Sequence, residues 1–273
     1  MTPVLPGELR AAARVCLAQI DPVAKSALTE ATFAAFRCGR LSLDSDARIA
    51  LDPPGRPQRP VLVEPRALRQ RGLGSREGRA AFIHAIAHIE FNAINLAWDA
   101  VARFPAMPAA FYADWAAVAA DEARHYTLLA ARLGELGYAY GDFPAHDGLW
   151  QMAEATADDC LARMALVPRV LEARGLDVTP GMIERLRAVG DDATAAILEL
   201  ILREEVAHVA DGSRWFDWCC VRVGCEPQVT FRDLLQRCAR GALRGPFNHP
   251  ARLAAGFDAA ELAVLEAAVA GGA

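Results

Sequence analysis

The sequence predicts an all-α fold, and three observations carry this prediction. Hydrophobic residues make up 53% of the 273 residues, and alanine is abundant whereas runs of β-branched residues are scarce. Apolar residues recur at helical spacing from about residue 75 onwards. Proline and glycine lie between the periodic segments, where helices begin and end. We expect one domain over residues 1–273: N-terminal helices and a loop at 1–74, a four-helix core at 75–224 and a C-terminal helical tail at 225–273.

Two short helices are expected first, over about residues 7–18 and 22–37. Pro22 stands where a first helical residue is favoured, and Asp21 can cap that helix. The next stretch cannot form a regular helix, because it contains Pro53, Pro54, Pro57, Pro60 and Pro65. We expect a long loop there that packs on the surface through residues 61–63.

Two strongly periodic segments follow, helix A over about 75–104 and helix B from the next turn to about 136. Pro105 and Pro108 bracket the turn between them. The stretch of chain from Glu90 to Pro105 is nearly as long as the stretch from Pro108 to Glu122. If the helices are antiparallel, both carboxylates lie at the same height, about 22 Å from the turn at 1.5 Å per residue.

Residues 138–149 are expected to form a connection, and helix C to run from about 150 to Glu172 with a kink at Pro168. Gly175, Pro180 and Gly181 then disfavour a helix. We expect the chain to unwind between Gly175 and Gly181, a few residues after Glu172, and to resume as a helix over 182–189. Helix D is expected after a turn at Gly190, with Asp191 as its cap, and to end near Gly224.

The C-terminal tail contains two patterns typical of capping boxes. These are Thr230-Phe231-Arg232-Asp233 and Asp258-Ala259-Ala260-Glu261, and each predicts the start of a helix. An ordered loop is expected between them, over residues 245–252.

The most informative pattern is Glu-x-x-His, which occurs at Glu122/His125 and again at Glu205/His208. Residues three apart share one face of a helix, so the carboxylate and the imidazole can reach the same point. An isolated glutamate precedes each pair, and the spacing from Glu90 to Glu122 is nearly equal to that from Glu172 to Glu205. This set matches the known ligands of di-iron and di-manganese carboxylate bundles.

The chemistry of two divalent ions explains these residue types. Four carboxylates balance four positive charges, and each imidazole adds a neutral nitrogen. Mixed carboxylate and imidazole ligation suits iron and manganese, so we expect two iron ions, as Fe/Fe or Fe/Mn. Glu154, Asp158 and Asp159 remain alternatives to Glu172 as the fourth carboxylate. Near the ligands, we expect hydrogen bonds from His84, Asp121, Tyr126 and Glu204.

Composition limits the other function classes. The net charge of −5 argues against a dedicated nucleic-acid binder. No apolar run approaches the roughly 20 residues of a membrane span, and no export signal is evident. Seven cysteines without a C-x-x-C pair do not suggest a disulfide framework. We therefore expect a cytoplasmic protein with reduced thiols and no membrane partner.

Several segments resemble a bacterial family of ferritin-like proteins without an assigned function. They are Arg56-Pro57 through Arg66, Asp121 through His125, Leu171-Glu172-Ala173-Arg174-Gly175-Leu176-Asp177, and Gly245-Pro246-Phe247-Asn248 with Ala251-Arg252. The resemblance implies a ferritin-like four-helix core with a di-metal site. Its ligands would be Glu90, Glu122, His125, Glu172, Glu205 and His208. A more distant similarity is to the di-iron hydroxylase that modifies tRNA.

The function expected first is that of an oxygen-activating di-iron hydroxylase or monooxygenase acting on an unidentified small molecule. An external electron donor is expected, because no G-x-G-x-x-G fingerprint is evident. A ferroxidase or metal-storage protein is the alternative, and a metal-free interaction module is the third interpretation. Nucleic acid is not the expected partner, although the distant similarity leaves tRNA open. A homodimer is compatible with the sequence.

Overall fold

The structure is a computed structural model that describes residues 5–44, 51–238 and 243–270. Within these ranges the regular structure is helical, apart from two isolated β-bridges, which confirms the all-α prediction. No helix in them is long and apolar enough to span a membrane. The chain divides into two compact units, Met1–Trp150 and Gln151–Ala273, and each is described by itself. The ferritin-like arrangement of the core and the single domain stay predictions.

Four helices make up most of unit 1: α1 (Leu9–Ala18), α2 (Pro22–Arg37), α3 (Arg76–Arg103) and α4 (Ala109–Glu135). They confirm the predicted N-terminal helices and helices A and B. Asp21 and Ser75 cap α2 and α3, because each side chain accepts a hydrogen bond from a backbone N–H of the first turn. α3 and α4 pack against each other, α1 packs on α3, and α2 packs on α4.

The core of unit 1 includes buried polar side chains that join these helices. The Arg10 guanidinium of α1 donates to the carbonyl oxygen of Ala102 at 2.8 Å. The Lys25 ammonium of α2 donates to Asn95 Oδ1 of α3 at 2.5 Å. Burial lowers the pKa of Lys25 to about 7, since desolvation disfavours the charged form. Both basic groups thus have an acceptor, as burial of a polar group requires.

The proline-rich segment forms a loop, as expected, but hydrogen bonds and an ion pair rather than apolar packing attach it to the connection after α4. The N–H of Val63 donates to the carbonyl of Ala145 at 2.8 Å, and the N–H of Ala145 donates to that of Val61 at 3.1 Å. Arg56 forms an ion pair with Asp147 at 2.7 Å. Val61 and Leu62 are themselves exposed. Backbone hydrogen bonds and a salt bridge therefore fix this loop.

The boundary between the two units lies within α5 (Gly148–Ala155). The remaining helices belong to unit 2 and are α6 (Cys160–Leu166), a π-helical segment (Val167–Glu172), α7 (Ala173–Ala188), α8 (Asp192–Val223), α9 (Pro227–Cys238), α10 (His249–Ala254) and α11 (Ala259–Ala270). The predicted helix C is therefore interrupted, because residues 156–159 separate α5 from α6. α7 and the π-helical segment both pack on α8.

The prediction that the chain unwinds between Gly175 and Gly181 is wrong. α7 is continuous through both glycines and Pro180. Leu176, Ile183 and Leu186 are buried along one side of α7, and this packing outweighs the poor helix propensities. The irregularity instead lies upstream at Pro168, where the missing N–H is accommodated by the π-helical segment.

The turn between α7 and α8 agrees with the sequence. Gly190 has a φ of 74°, and Asp191 accepts a hydrogen bond from the N–H of Thr194 at 3.1 Å. Both the predicted turn and the predicted cap are confirmed. The turn lets α8 begin at Asp192 and run antiparallel to α7.

The two predicted capping boxes of the tail have different outcomes. Asp258 and Glu261 bond reciprocally to each other's backbone N–H at 2.8 and 3.0 Å, which confirms the second box. The first box is wrong, because α9 already begins at Pro227 and Thr230 lies within it. Glu226 satisfies the N–H groups of that first turn instead. The expected loop over 245–252 contains the start of α10, capped by Asn248.

Gly212 of α8 provides a test of the packing around the π-helical segment. A Cβ at this position would lie 2.4 Å from Cβ and Cγ of Pro168, whereas a Cβ at Gly181 of α7 would meet nothing within 4 Å. We expect Gly212→Ala to lower the free energy of unfolding by about 1–3 kcal/mol through overpacking. The matched control Gly181→Ala should raise it by up to about 1 kcal/mol. Urea denaturation measures both, and equal changes of one sign would contradict the packing.

Candidate metal site

Unit 1 brings three of the predicted ligands together. Glu90 lies on α3, and Glu122 and His125 lie one turn apart on α4. The hairpin of α3 and α4 places the two glutamates at the same height, as their distances from the turn predicted. The Tyr112 hydroxyl donates to the carbonyl of Phe104 at 2.9 Å and accepts from the N–H of Met107 at 3.2 Å, which fixes the turn.

His125 occupies the centre of this group. Its Nδ1 lies 3.2 Å from Glu90 Oε2 and 3.4 Å from Glu122 Oε2. The relative exposures of Glu90, Glu122 and His125 are 5%, 2% and 0%, so all three are removed from solvent. One potential ligand atom from each residue lies within 4.8 Å of the others. This separation is small enough for one metal ion to contact all three.

The electrostatics show why such a group is costly without a cation. Burial, together with the charge of Glu122, raises the pKa of Glu90 to about 8. Burial lowers the pKa of His125, but the hydrogen bonds and charges of Glu122 and Glu90 outweigh it and raise that pKa to about 11. Near neutral pH the metal-free group therefore keeps protons on both Glu90 and His125. These protons supply the positive charge that buried carboxylates need.

The donor set fits a divalent metal. Two carboxylates and an imidazole are hard to borderline ligands, which suit iron or manganese better than a thiolate-preferring ion. A bound cation would replace the protons on Glu90 and His125 and would balance the same negative charge. The structure thus has a buried cluster of Glu and His that could hold a metal ion.

Unit 2 carries the second Glu-x-x-His pair. Glu205 and His208 lie one turn apart on α8, with His208 Nδ1 3.4 Å from Glu205 Oε1. His208 is buried and Glu205 is half-buried. Glu172 is half-buried and ends the π-helical segment, which packs on α8.

The alternatives to Glu172 lie in more open positions. Glu154, Asp158 and Asp159 are all exposed. Asp159 is the cap of α6 and accepts a hydrogen bond from the N–H of Ala162 at 3.1 Å. A carboxylate already used as a cap on the surface is a poorer candidate for a buried ligand than Glu172.

The residues expected near the ligands have varied surroundings. His84 accepts a hydrogen bond from the N–H of Gly141 at 2.9 Å, and its ring stacks on Tyr140. Asp121 forms a surface ion pair with Arg124 at 3.1 Å. Tyr126 is buried with its ring 5.7 Å from that of Phe91. Glu204 is half-buried on α8. Their roles beside the ligands stay predictions.

Sequence reasoning missed a polar network beside Glu90. His88, one half-turn before it on α3, bonds through Nδ1 to the Tyr140 hydroxyl at 2.8 Å and through Nε2 to the carbonyl of His146 at 3.1 Å. Burial lowers the pKa of His88 to about 4, so this imidazole is neutral near pH 7. Tyr140 and His146 lie in a connection without periodicity, and no sequence signal could have linked them to α3.

A second missed feature is Arg169, which lies in the π-helical segment shortly before Glu172. It is 2% exposed and donates to Glu261 Oε1 at 2.6 Å. Its guanidinium lies over three aromatic rings, those of Phe216, Phe231 and Phe257, at 4.8, 4.4 and 4.6 Å from their centres. The C-terminal helices thereby hold the segment that carries Glu172.

Comparison with known proteins extends these observations. A relative from Haemophilus influenzae, described as an "Uncharacterized protein", is 46% identical over 213 residues, which cover 76% of this chain and 74% of the relative. No solved structure matches the chain. The family model described as "Protein of unknown function (DUF455)" matches residues 18–263, a range that includes every predicted ligand. The chain therefore belongs to the DUF455 family.

Proposed function

We propose that the protein is a di-iron oxidoreductase that activates dioxygen, a hydroxylase or monooxygenase for a small-molecule substrate. The buried group of Glu90, Glu122 and His125 carries this proposal. Two carboxylates at 5% and 2% exposure on facing helices need compensating positive charge, which the protons on Glu90 and His125 supply without metal and a bound cation would supply in their place.

The proposed site combines this group with Glu172, Glu205 and His208, in a ferritin-like arrangement of the helices that carry them. The repeated Glu-x-x-His pattern supports the second half of the ligand set. The π-helical segment supports Glu172 in particular, because such insertions into α-helices are frequent at functional sites. Together these residues would supply four carboxylates and two imidazoles to hold two iron ions.

Bound iron would supply the electrons and the open coordination positions with which dioxygen is reduced. The residues of the chain have separate tasks. Glu90 and Glu122 would balance the charge of the metals, and His125 would have to lose its proton before it could bind one. The rings of Phe91 and Tyr126, the residues that directly follow Glu90 and His125, are buried against each other and would help to exclude water. An external donor is needed to return the electrons that each turnover consumes.

The ligands can be tested by metal binding. We expect Glu122→Gln to weaken Mn(II) binding by about tenfold or more, because a neutral amide cannot replace an anionic ligand, and His208→Gln to act similarly. Glu135→Gln at the exposed end of α4 and His249→Gln at an exposed position of α10 are the matched controls. Metal analysis after dialysis gives the stoichiometry, and circular dichroism verifies the helix content. Two tightly bound metals per chain in both ligand variants would rule out this site.

The pH dependence of binding follows from the raised pKa values. Since the pKa values of Glu90 and His125 are about 8 and 11, metal must displace protons from both residues at neutral pH. The apparent affinity for Mn(II) should therefore rise between pH 6 and about 8 and fall in acid. Titration calorimetry in buffers of different ionisation enthalpy counts the released protons. An affinity that does not change over this range would contradict the charge arrangement.

The oxygenase and storage functions differ in the fate of iron. We expect the protein to bind two Fe(II) per chain without oxygen and to oxidise them on exposure to air with a change in its absorption spectrum. Iron added beyond two equivalents should not be retained by the protein. Light scattering measures the size of the particle, and a cage-sized assembly that retains ferric mineral would favour storage over oxygen activation.

A further inference from the structure

The proline-rich loop carries an arginine of which one edge is unsatisfied. Arg56 Nη1 forms an ion pair with Asp147 Oδ2 at 2.7 Å, and the two side chains are 20% and 21% exposed. Its Nε and Nη2 are buried and have no hydrogen-bond partner among the residues that the structure describes. These two nitrogens form one edge of the planar guanidinium, with their N–H bonds in parallel. This edge matches the two oxygens of a carboxylate.

A second buried basic group lies close to this arginine. The N–H of Gly55 and the ammonium of Lys25 both donate to the carbonyl oxygen of Leu17, at 2.8 and 2.9 Å. The Lys25 ammonium therefore lies beside the residue that precedes Arg56. Burial lowers the pKa of Lys25 to about 7, so an anion bound nearby would favour its charged form.

Two buried asparagines of α3 also have unpartnered atoms. Asn95 is 0% exposed, and its Oδ1 accepts from Lys25 at 2.5 Å, whereas its Nδ2 has no partner within the described ranges. Asn92 is 1% exposed, and its Nδ2 donates to the carbonyl oxygen of His88 at 2.9 Å, whereas its Oδ1 is unpartnered in the same ranges. Buried polar atoms without partners are rare in folded proteins. Those of α3 and of the loop therefore indicate a missing polar ligand.

Hydrogen bonds connect these groups within unit 1. His88 Nε2 lies 3.1 Å from the carbonyl oxygen of His146, and the next residue, Asp147, pairs with Arg56. Lys25 completes the connection, since it bonds to α3 through Asn95 and shares an acceptor with the loop. The unpartnered atoms thus belong to one polar cluster beneath the loop.

The charges and rings of this cluster select the class of anion. Arg56 and Lys25 exceed Asp147 by one positive charge when both are protonated, so a single negative charge balances the group. A phosphate dianion would leave an excess negative charge beside the Asp147 carboxylate. The Trp150 ring centre lies 5.9 Å from the guanidinium, and the Phe91 ring centre lies 5.3 Å from the ammonium. These apolar neighbours favour an organic body over a hydrated inorganic ion.

We propose that Arg56 binds the carboxylate of a small organic acid through its Nε and Nη2, and that this acid is the substrate. The second statement rests on the proposed function, whereas carboxylate binding itself requires no metal. Phe91 and Asn92 directly follow Glu90 on α3, so the acid would lie close along that helix to a proposed ligand. Because both nitrogens are covered in the ligand-free protein, the loop must shift at Arg56 to admit the acid.

The experiment uses the metal-free full chain labelled with ¹⁵N, in which the side-chain N–H signals of arginine are followed by NMR. Formate, acetate and benzoate are the probes, benzamide is the uncharged counterpart of benzoate, and inorganic phosphate is the second oxyanion. The Arg56 Nε–H signal is assigned as the one missing from Arg56→Lys. We expect a saturable downfield shift of this signal with a carboxylate, no shift with benzamide, and binding of phosphate at least about tenfold weaker.

Three variants separate ligand binding from a purely structural role. Arg56→Gln should weaken carboxylate binding by about tenfold or more, because the charge and the paired donors are lost. Arg59→Gln, at an exposed position of the same loop, is the matched control and should bind normally. Asp147→Asn should tighten binding several-fold, since it removes a competing negative charge. If Arg56 served only to anchor the loop to Asp147, this last variant would not gain affinity. Circular dichroism verifies that each variant keeps its helix content.

The outcomes distinguish this inference from the metal site. The absence of a shift with all three carboxylates would overturn the proposal, as would equal affinity for benzamide, tighter binding of phosphate, or unchanged binding by Arg56→Gln. A chain that binds carboxylates through Arg56 but takes up no iron would support the acid site and overturn only its role in oxidation.

Discussion

The buried contact of His125 with Glu90 and Glu122 is the interaction on which unit 1 depends. Burial and the neighbouring Glu122 raise the pKa of Glu90, so that Glu90 keeps its proton near neutral pH, and the imidazolium of His125 supplies positive charge to the group in the absence of metal. This requirement fixes how α3 and α4 face each other. It also explains the alanines at 0% exposure around the group, such as Ala87, Ala119 and Ala123, since small side chains allow the two helices to approach closely.

In unit 2 as well, buried charged groups need partners, but here the buried charges are arginines rather than carboxylates. Arg169 is buried and needs both an acceptor, Glu261, and aromatic faces around its guanidinium. Arg252 is likewise buried and pairs with Asp177 of α7 at 2.7 Å. The partners of these arginines come from α7, α8, α9, α11 and the residues beside them. The segment expected as an appended tail is therefore part of the core of unit 2.

The continuity of α7 shows how packing decides local structure. Gly175, Pro180 and Gly181 cost helix stability individually, yet the buried side of α7 lies against α8 and compensates. The strain is concentrated at Pro168, where Gly212 of the facing helix leaves room for the proline ring. A residue on α8 thus determines which of several weak points in the sequence distorts the helix. Glu172 ends the distorted segment, so its position depends on how Pro168 packs against Gly212.

The sequence by itself determined the helical class, most helix boundaries, the turn at Gly190 and the common height of Glu90 and Glu122, because these depend on periodicity, capping and distance along the chain. It also singled out the Glu-x-x-His pairs, since spacing along a helix is a local property. It also pointed to Pro168 as the irregular position of helix C. Tertiary structure alone decided that Gly175 to Gly181 stays helical and which residues surround Arg169 and His88. These features join positions far apart in the chain, and contacts between distant segments leave no local pattern that periodicity could reveal.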